Sequence, residues 1–404
     1  MVKTHLPGGL TVVSEHLSHA ESVSLGVWVR AGSRDESPRL SGISHFTEHM
    51  VFKGTHRRTA EEISAEAEGL GCDLNAFTDK EYTCYHTRAL PEYTAGVLDI
   101  IADMLTDPLL SERDAANEKG VVIDEIRGVA DVPEDLIIDE TASLFFGSNR
   151  LGQSVAGSEK TVSAFTPEDV RRCMAARYRT ENIVVAAAGK VDHDNLVALA
   201  EKLFAPAEGE SGKRTFDEFK PVLDEKIIRK DVERAQFTLT VPAYPVGNER
   251  RYALAILDTV LGGSSSSRLF TEVREKRGLA YSVGSYGTAF ADCGTFTIYG
   301  GTAKDKVEEA VSLCKDCARE IRGGVTEKEA DRAKNLLRAG ILMSGENSEA
   351  RMNRIGRSEI YGLRHVPQEE SIERLMAVTT DDVRAVAEDL LGDDRYAKVV
   401  ITGK

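Results

Sequence analysis

His45-Phe46-Thr47-Glu48-His49 is the stretch on which the reading of this chain turns. Two histidines four residues apart lie one turn apart on one face of an α-helix. Their imidazoles can therefore grip one metal ion together. Glu48 precedes the second histidine and follows the first by three, so its carboxylate reaches the same rim. The order H-x-x-E-H reverses the H-E-x-x-H helix of zinc proteases. Zinc in such a site lowers the pKa of a bound water toward ~7, and a nearby carboxylate takes the proton as that water attacks a carbonyl. Three polar residues meeting by accident is the bland alternative. Histidine is rare here, 9 of 404 residues, which makes that accident uncommon. A catalytic zinc site also needs a third protein ligand from elsewhere in the chain.

The composition is that of an ordinary folded protein, 41% hydrophobic and 29% charged, with length for two domains. A net charge of −15 argues against a nucleic-acid partner, which calls for a basic face, and favours solubility. The opening residues, Met1 to Gly9, lack the apolar core of a signal peptide, and apolar runs such as 183–189 are too short to span a bilayer. No membrane partner is therefore expected. Six cysteines are scattered without a secreted-domain framework, so reduced thiols and a cytoplasmic location are expected. Cys314-Lys315-Asp316-Cys317 has metal-site spacing. It lies inside an amphipathic pattern from Val307 to Ile321 and has no second pair, so it reads as part of a buried helix face. The remaining histidines (5, 16, 19, 56, 86, 193 and 365) fall in no ligand constellation.

Landmarks recur in the same order at an offset of 213 to 215 positions. Tyr82 to Tyr85 matches Phe296 to Tyr299 as a strand end. Ser111 and Thr326 each open a helix as N-cap candidates. Thr166-Pro167-Glu168-Asp169-Val170 matches Thr380-Asp381-Asp382-Val383, and the apolar strand from Val184 to Lys190 matches Val399 to Lys404. Two homologous halves follow: 1–210 and 225–404, joined by the polar stretch 206–224. Strands such as Val23 to Arg30 and Gln236 to Val241 alternate by two, and helices cluster after strands. The expected fold class is α+β, each half a largely antiparallel sheet packed with helices.

For the third ligand, the helix opening at Ser111 carries Glu118 and Glu125, seven apart and hence on one face. Spacing alone leaves two readings open, solvated surface glutamates or a metal-site pair. The run from His45 to Thr55 resembles the metal-binding helix of the pitrilysin/insulinase family of inverted-motif zinc peptidases, in its processing-peptidase-like bacterial branch. The likeness extends over nearly the whole chain, including Trp28 to Glu36 before the helix and Leu74 to Thr78 after it. In that family a glutamate about 76 positions beyond the second histidine ligates zinc, which here is Glu125. A second glutamate seven residues earlier supports the site, which here is Glu118. The resemblance thus implies one zinc ion per chain on His45, His49 and Glu125, with Glu48 as catalytic base and Glu118 as a catalytic support. At the same offset the second half carries Gly263 and Gly340, neither able to bind metal.

The resemblance also implies a substrate-binding role for Arg274 and Tyr281, seven apart in the second half. A cation and a phenol can hold a substrate carbonyl and stabilise an oxyanion. Asn75, Ala76 and Phe77 begin the edge strand that pairs with an extended peptide in the family; Asn75 can equally be a turn residue. The loop Gly262 to Ser267 lacks the lysine and glycine spacing of a phosphate cradle. The expected function is a zinc metalloendopeptidase cleaving peptides or unfolded, presequence-like segments inside a closed chamber. The family chamber needs four such halves, so a homodimer, or a paralogous partner chain, is expected. The alternative is a non-catalytic scaffold or partner subunit of the same fold.

Overall fold

A computed structural model describes residues 1–205 and 214–403. Residues 206–213, in the expected linker 206–224 and at the end of the expected domain 1–210, lie outside the described residues, as does Lys404. The described chain forms two compact units. One comprises Met1–Arg127, Gln153–Thr215 and Ser344–His365; the other comprises Gly128–Gly152, Phe216–Met343 and Val366–Lys404. The halves 1–210 and 225–404 mark what repeats in sequence, whereas the units mark what packs together. They differ because each unit takes in a segment from the other half.

The first unit holds a six-stranded sheet: β1 (Val2–His5), β2 (Thr11–His16), β3 (Val23–Val29), β4 (Asn75–Thr78), β5 (Thr83–Ala89) and β6 (Ile183–Gly189). Their order is β1-β2-β6-β3-β5-β4. The second unit holds β7 (Glu225–Arg229), β8 (Ala235–Ala243), β9 (Ala280–Ala289), β10 (Gly294–Thr302) and β11 (Ala397–Thr402), in the order β7-β11-β8-β10-β9. Strand for strand this repeats β2-β6-β3-β5-β4. The pairings repeat as well: β2 with β6 and β7 with β11 are parallel, and all other neighbours are antiparallel. Both halves are thus largely antiparallel sheets packed with helices, as expected from the sequence.

Helix boundaries follow local chemistry. Ser111 accepts the Asp114 N–H, Thr166 the Asp169 N–H and Thr326 the Glu329 N–H, each a side-chain cap on the first turn. The helix expected at Thr380 does begin there, capped by Thr379, which accepts the Asp382 N–H. Cys314 and Cys317 sit in the core on the helix Val307–Ile321, where burial pushes the Cys317 thiol up to about 11. Thiols held protonated in an apolar core carry neither metal nor redox chemistry. Among the described residues no helix is long and apolar enough to cross a membrane.

The alternation of β3 and β8 predicts one buried face, yet both faces of each are buried. The reason is a reciprocal exchange of equivalent helices. Val23, Leu25, Val27 and Val29 face one core of the first unit. The opposite face, Ser24, Gly26 and Trp28, is covered by the helix Ser348–Ile360 from the second half. Ser24 and Ser348 share a hydrogen bond of 2.8 Å. In the second unit Phe237, Leu239 and Val241 face the core, while Gln236 and Thr238 meet the helix Pro133–Phe146 from the first half. Gln236 donates to Glu134 at 2.7 Å, and Thr238 bonds Thr141 at 2.6 Å. The buried Ser24, Gln236 and Thr238 side chains on these faces are thus satisfied by the incoming helix.

Close approach of that helix to the first sheet depends on glycine. A Cβ on Gly26 would lie 2.5 Å from Met352 Sδ, and one on Gly356 would collide with the fully buried Trp28 ring. Gly356→Ala is therefore expected to destabilise the first unit by about 1–3 kcal/mol through overpacking. The check is the denaturation midpoint followed by Trp28 fluorescence, since Trp28 is the one tryptophan. An unchanged midpoint would refute this packing.

Candidate metal centre

The helix Ile43–Val51 carries both histidines, and its apolar positions Phe46 and Met50 enter the first core. With those residues buried on one side, His45 and His49 emerge together on another, ring centroids 4.7 Å apart. The helix Glu112–Asp131 brings Glu125 to them. Glu125 Oε2 lies 3.7 Å from His45 Nε2 and 3.6 Å from His49 Nε2. One donor atom from each of the three falls within 4.8 Å of the others, and among the described residues this is the one such cluster of three.

The donor set suits a divalent metal such as zinc, being two imidazole nitrogens and one carboxylate oxygen. Burial, helped by the neighbouring His49, lowers the His45 pKa to about 4, so its ring is neutral at physiological pH. Two turns back along the second helix, buried Glu118 (5% exposed) accepts from His49 Nδ1 at 3.1 Å. An ionised carboxylate only accepts, so Nδ1 carries the proton and Nε2 turns its lone pair toward Glu125. The other oxygen of Glu118 meets Lys53 Nζ at 2.8 Å. His45 differs, because its Nδ1 is buried without a hydrogen-bond partner.

Glu48 lies on the same helix. Burial raises its carboxyl above the ordinary range, and a 2.5 Å hydrogen bond donated by Thr78 Oγ1 opposes the rise. Thr83 spends its own proton on the Ala31 carbonyl, at 2.9 Å, so the Thr78 proton is free for Glu48. A carboxylate raised by burial and held by one donor is suited to accept a proton near neutrality.

Thr78 closes β4, the outermost strand of its sheet. Asn75, Ala76 and Phe77 do form that edge strand, pairing with His86, Tyr85 and Cys84 of β5. The Asn75 side chain accepts the Ala76 N–H at 2.8 Å, a local turn-type contact. Phe77 turns away from the metal cluster and packs edge-on against Trp28, centroids 5.9 Å apart. What the strand offers at its edge is main chain.

In the second unit Tyr281 is the second residue of β9 and is 68% exposed. The Arg274 guanidinium, from the helical turn Phe270–Glu275, stands 5.8 Å from its ring centre. Arg234 stands 4.6 Å from the same ring. The expected pair is thus brought together, with a second cation over the phenol. Gly340 lies on the helix Glu327–Ser344 and Gly263 follows the helix Arg251–Leu261, so the second unit offers no donor at either position.

Sequence reasoning missed Lys53, Thr78 and Arg234 as members of these sites. Lys53 had a signal, lying four residues beyond His49. Thr78 had one too, since strand alternation puts it on the face opposite Phe77. Arg234 had none, because its neighbour Tyr281 is remote in sequence.

A family model described as "Insulinase (Peptidase family M16)" matches residues 11–159, and one described as "Peptidase M16 inactive domain" matches residues 164–337. An uncharacterized zinc protease of Streptomyces coelicolor is 41% identical, over 96% of this chain and 87% of its own. Another, of Bacillus subtilis, is 37% identical over 98% of this chain and 96% of its own. The crystal structure of a peptidase M16 inactive domain from Pseudomonas fluorescens superposes with a TM-score of 0.93 at 22% identity, covering 100% of this chain and 98% of that one.

Because Glu118 fixes the His49 tautomer, Glu118→Ala is expected to weaken divalent-metal binding by about 10–100-fold. Competition with a chromophoric chelator measures it. Affinity within twofold of the parent chain would show that the 3.1 Å contact does not orient the ligand.

Proposed function

This chain belongs to the insulinase family of peptidases, peptidase family M16, and from that premise we propose that it is a zinc-dependent endopeptidase acting on extended peptides. The observation that carries the proposal is the convergence of three candidate metal donors beside the Glu48 carboxylate and a sheet edge. His45, His49 and Glu125 would hold the zinc, through two nitrogens and one oxygen. A zinc ion there would polarise the scissile carbonyl and make water a nucleophile at neutral pH. The printed names of the relatives, zinc proteases, support this choice of metal.

The remaining steps belong to the chain. A substrate lies as an added strand along β4, its main chain held by the unpaired edge and its side chains read weakly. Glu48 takes the proton from the attacking water and passes it to the leaving amine. Thr78 holds one oxygen of Glu48 and leaves the other for that proton. Glu118 keeps His49 oriented throughout. Arg274 and Tyr281 bind the substrate main chain and stabilise charge on the carbonyl oxygen. A single chain with one donor set and two halves fits a homodimer enclosing a chamber, with the Arg-Tyr pair supplied to the partner's metal centre. A chamber of that kind admits unfolded or presequence-like peptides and excludes folded proteins.

Glu48→Gln is expected to retain metal and lose turnover by about 10²–10⁴-fold, the usual worth of a general base. Unchanged turnover on a peptide library, read by mass spectrometry, would remove Glu48 from that role; no cleavage by the parent chain loaded with zinc would favour the scaffold alternative. Mixing inactive Glu48→Gln chains with inactive Arg274→Ala chains is expected to restore cleavage. Absence of rescue in demonstrated mixed dimers would place both groups in one chain.

A further inference from the structure

The helix bearing His45 and His49 begins with glycine at its N-cap, Gly42, at φ 96°. Glycine has no side-chain oxygen to accept the orphan N–H groups of a first turn. A side chain at 42 is sterically barred, because a Cβ there would lie 2.6 Å from the Ala156 carbonyl oxygen. The acceptor comes from outside the helix. Glu36 Oε2 accepts the Gly42 N–H at 2.7 Å, and Glu36 Oε1 accepts the Ser44 N–H at 2.7 Å. The residue is 3% exposed. Burial pushes its carboxyl up to about 8, and the Ser44 and Gly42 N–H groups pull it back.

His45 follows Ser44 directly, and His49 is one turn on. The bond to the Ser44 N–H therefore fixes the phase at which both imidazoles leave the helix. At the other end His49 is tied through Glu118 to Lys53. Nothing equivalent holds His45, whose Nδ1 is without a partner, so its direction depends on the backbone beneath it.

We propose that Glu36 is a positioning residue of the metal centre: its two carboxyl oxygens pin the first turn of the ligand helix and thereby aim His45 and His49. The idea rests on the reading of those histidines as metal ligands. It concerns a residue that touches neither metal nor substrate, and it predicts an effect visible without either.

Glu36→Gln tests it, because glutamine keeps the length but turns one acceptor into an N–H donor facing an N–H. In the metal-free protein, amide exchange over 43–49 is expected to accelerate at least about tenfold, with the helix Thr94–Thr106 unchanged. The ring carbon signals of His45 and His49 are expected to move. The dissociation constant for Co²⁺ is expected to rise about tenfold, with a changed visible spectrum, as for other outer supports of a metal site. If Glu36→Gln does not fold, Glu36→Ala, in which water can reach the freed N–H groups, replaces it. Unmoved ring signals with unchanged exchange would overturn the proposal, whatever happens to the melting temperature. Faster exchange with Co²⁺ affinity within twofold of the parent chain would overturn it as well. A parent chain that binds no Co²⁺ would defeat the proposed function instead, and the ring signals and exchange would still decide the role of Glu36.

Discussion

Three donor atoms from two helices must converge within 4.8 Å, and the candidate chemistry of this chain depends on that crossing. Two of the donors come at no structural cost, because spacing by four places His45 and His49 on one helical face. The third has to be delivered by a separate helix whose own position is set by core packing through Ala115 and Val122. The ionic contacts follow from that crossing. Glu118, two turns from Glu125 on the same face, falls opposite His49 and orders its tautomer. Lys53 completes the pair from the chain just beyond the ligand helix.

The fold itself does not rely on these groups. The same five-strand order occurs twice, once with the donors and once with glycines at the offset positions. Each copy rests on its own apolar core, and neither core includes His45, His49 or Glu125. A site laid over a self-sufficient core can be lost in one copy without loss of the architecture. That copy then remains available for Arg274, Tyr281 and Arg234 to serve another purpose.

Much of this was legible in the sequence, for physical reasons that differ by residue. The histidine pair and Glu48 are local, so periodicity alone places them together. Glu118 and Glu125 share a face by spacing, but only the family resemblance assigned that face to the histidines. The duplicated strand order was foreshadowed by landmarks recurring at one offset, since caps and strand ends are set by local chemistry. The exchange of the helices Ser348–Ile360 and Pro133–Phe146 was not legible. An amphipathic pattern shows that a helix buries a face, not which sheet receives it. The face of β3 formed by Ser24, Gly26 and Trp28 is covered by a helix that strand alternation does not identify. Glu36 was hidden for another reason: it lies close to Gly42 and Ser44 in sequence, but no local pattern shows that its side chain folds back onto that helix end.

The central claim is that a metal held by His45, His49 and Glu125 is required for peptide hydrolysis. The most direct test is cleavage of an unstructured peptide library by the chain stripped of metal and then titrated with Zn²⁺, with metal content verified at each step. The account predicts no cleavage after stripping and full recovery near one equivalent of zinc per chain. Cleavage that persists in verified metal-free protein would contradict it.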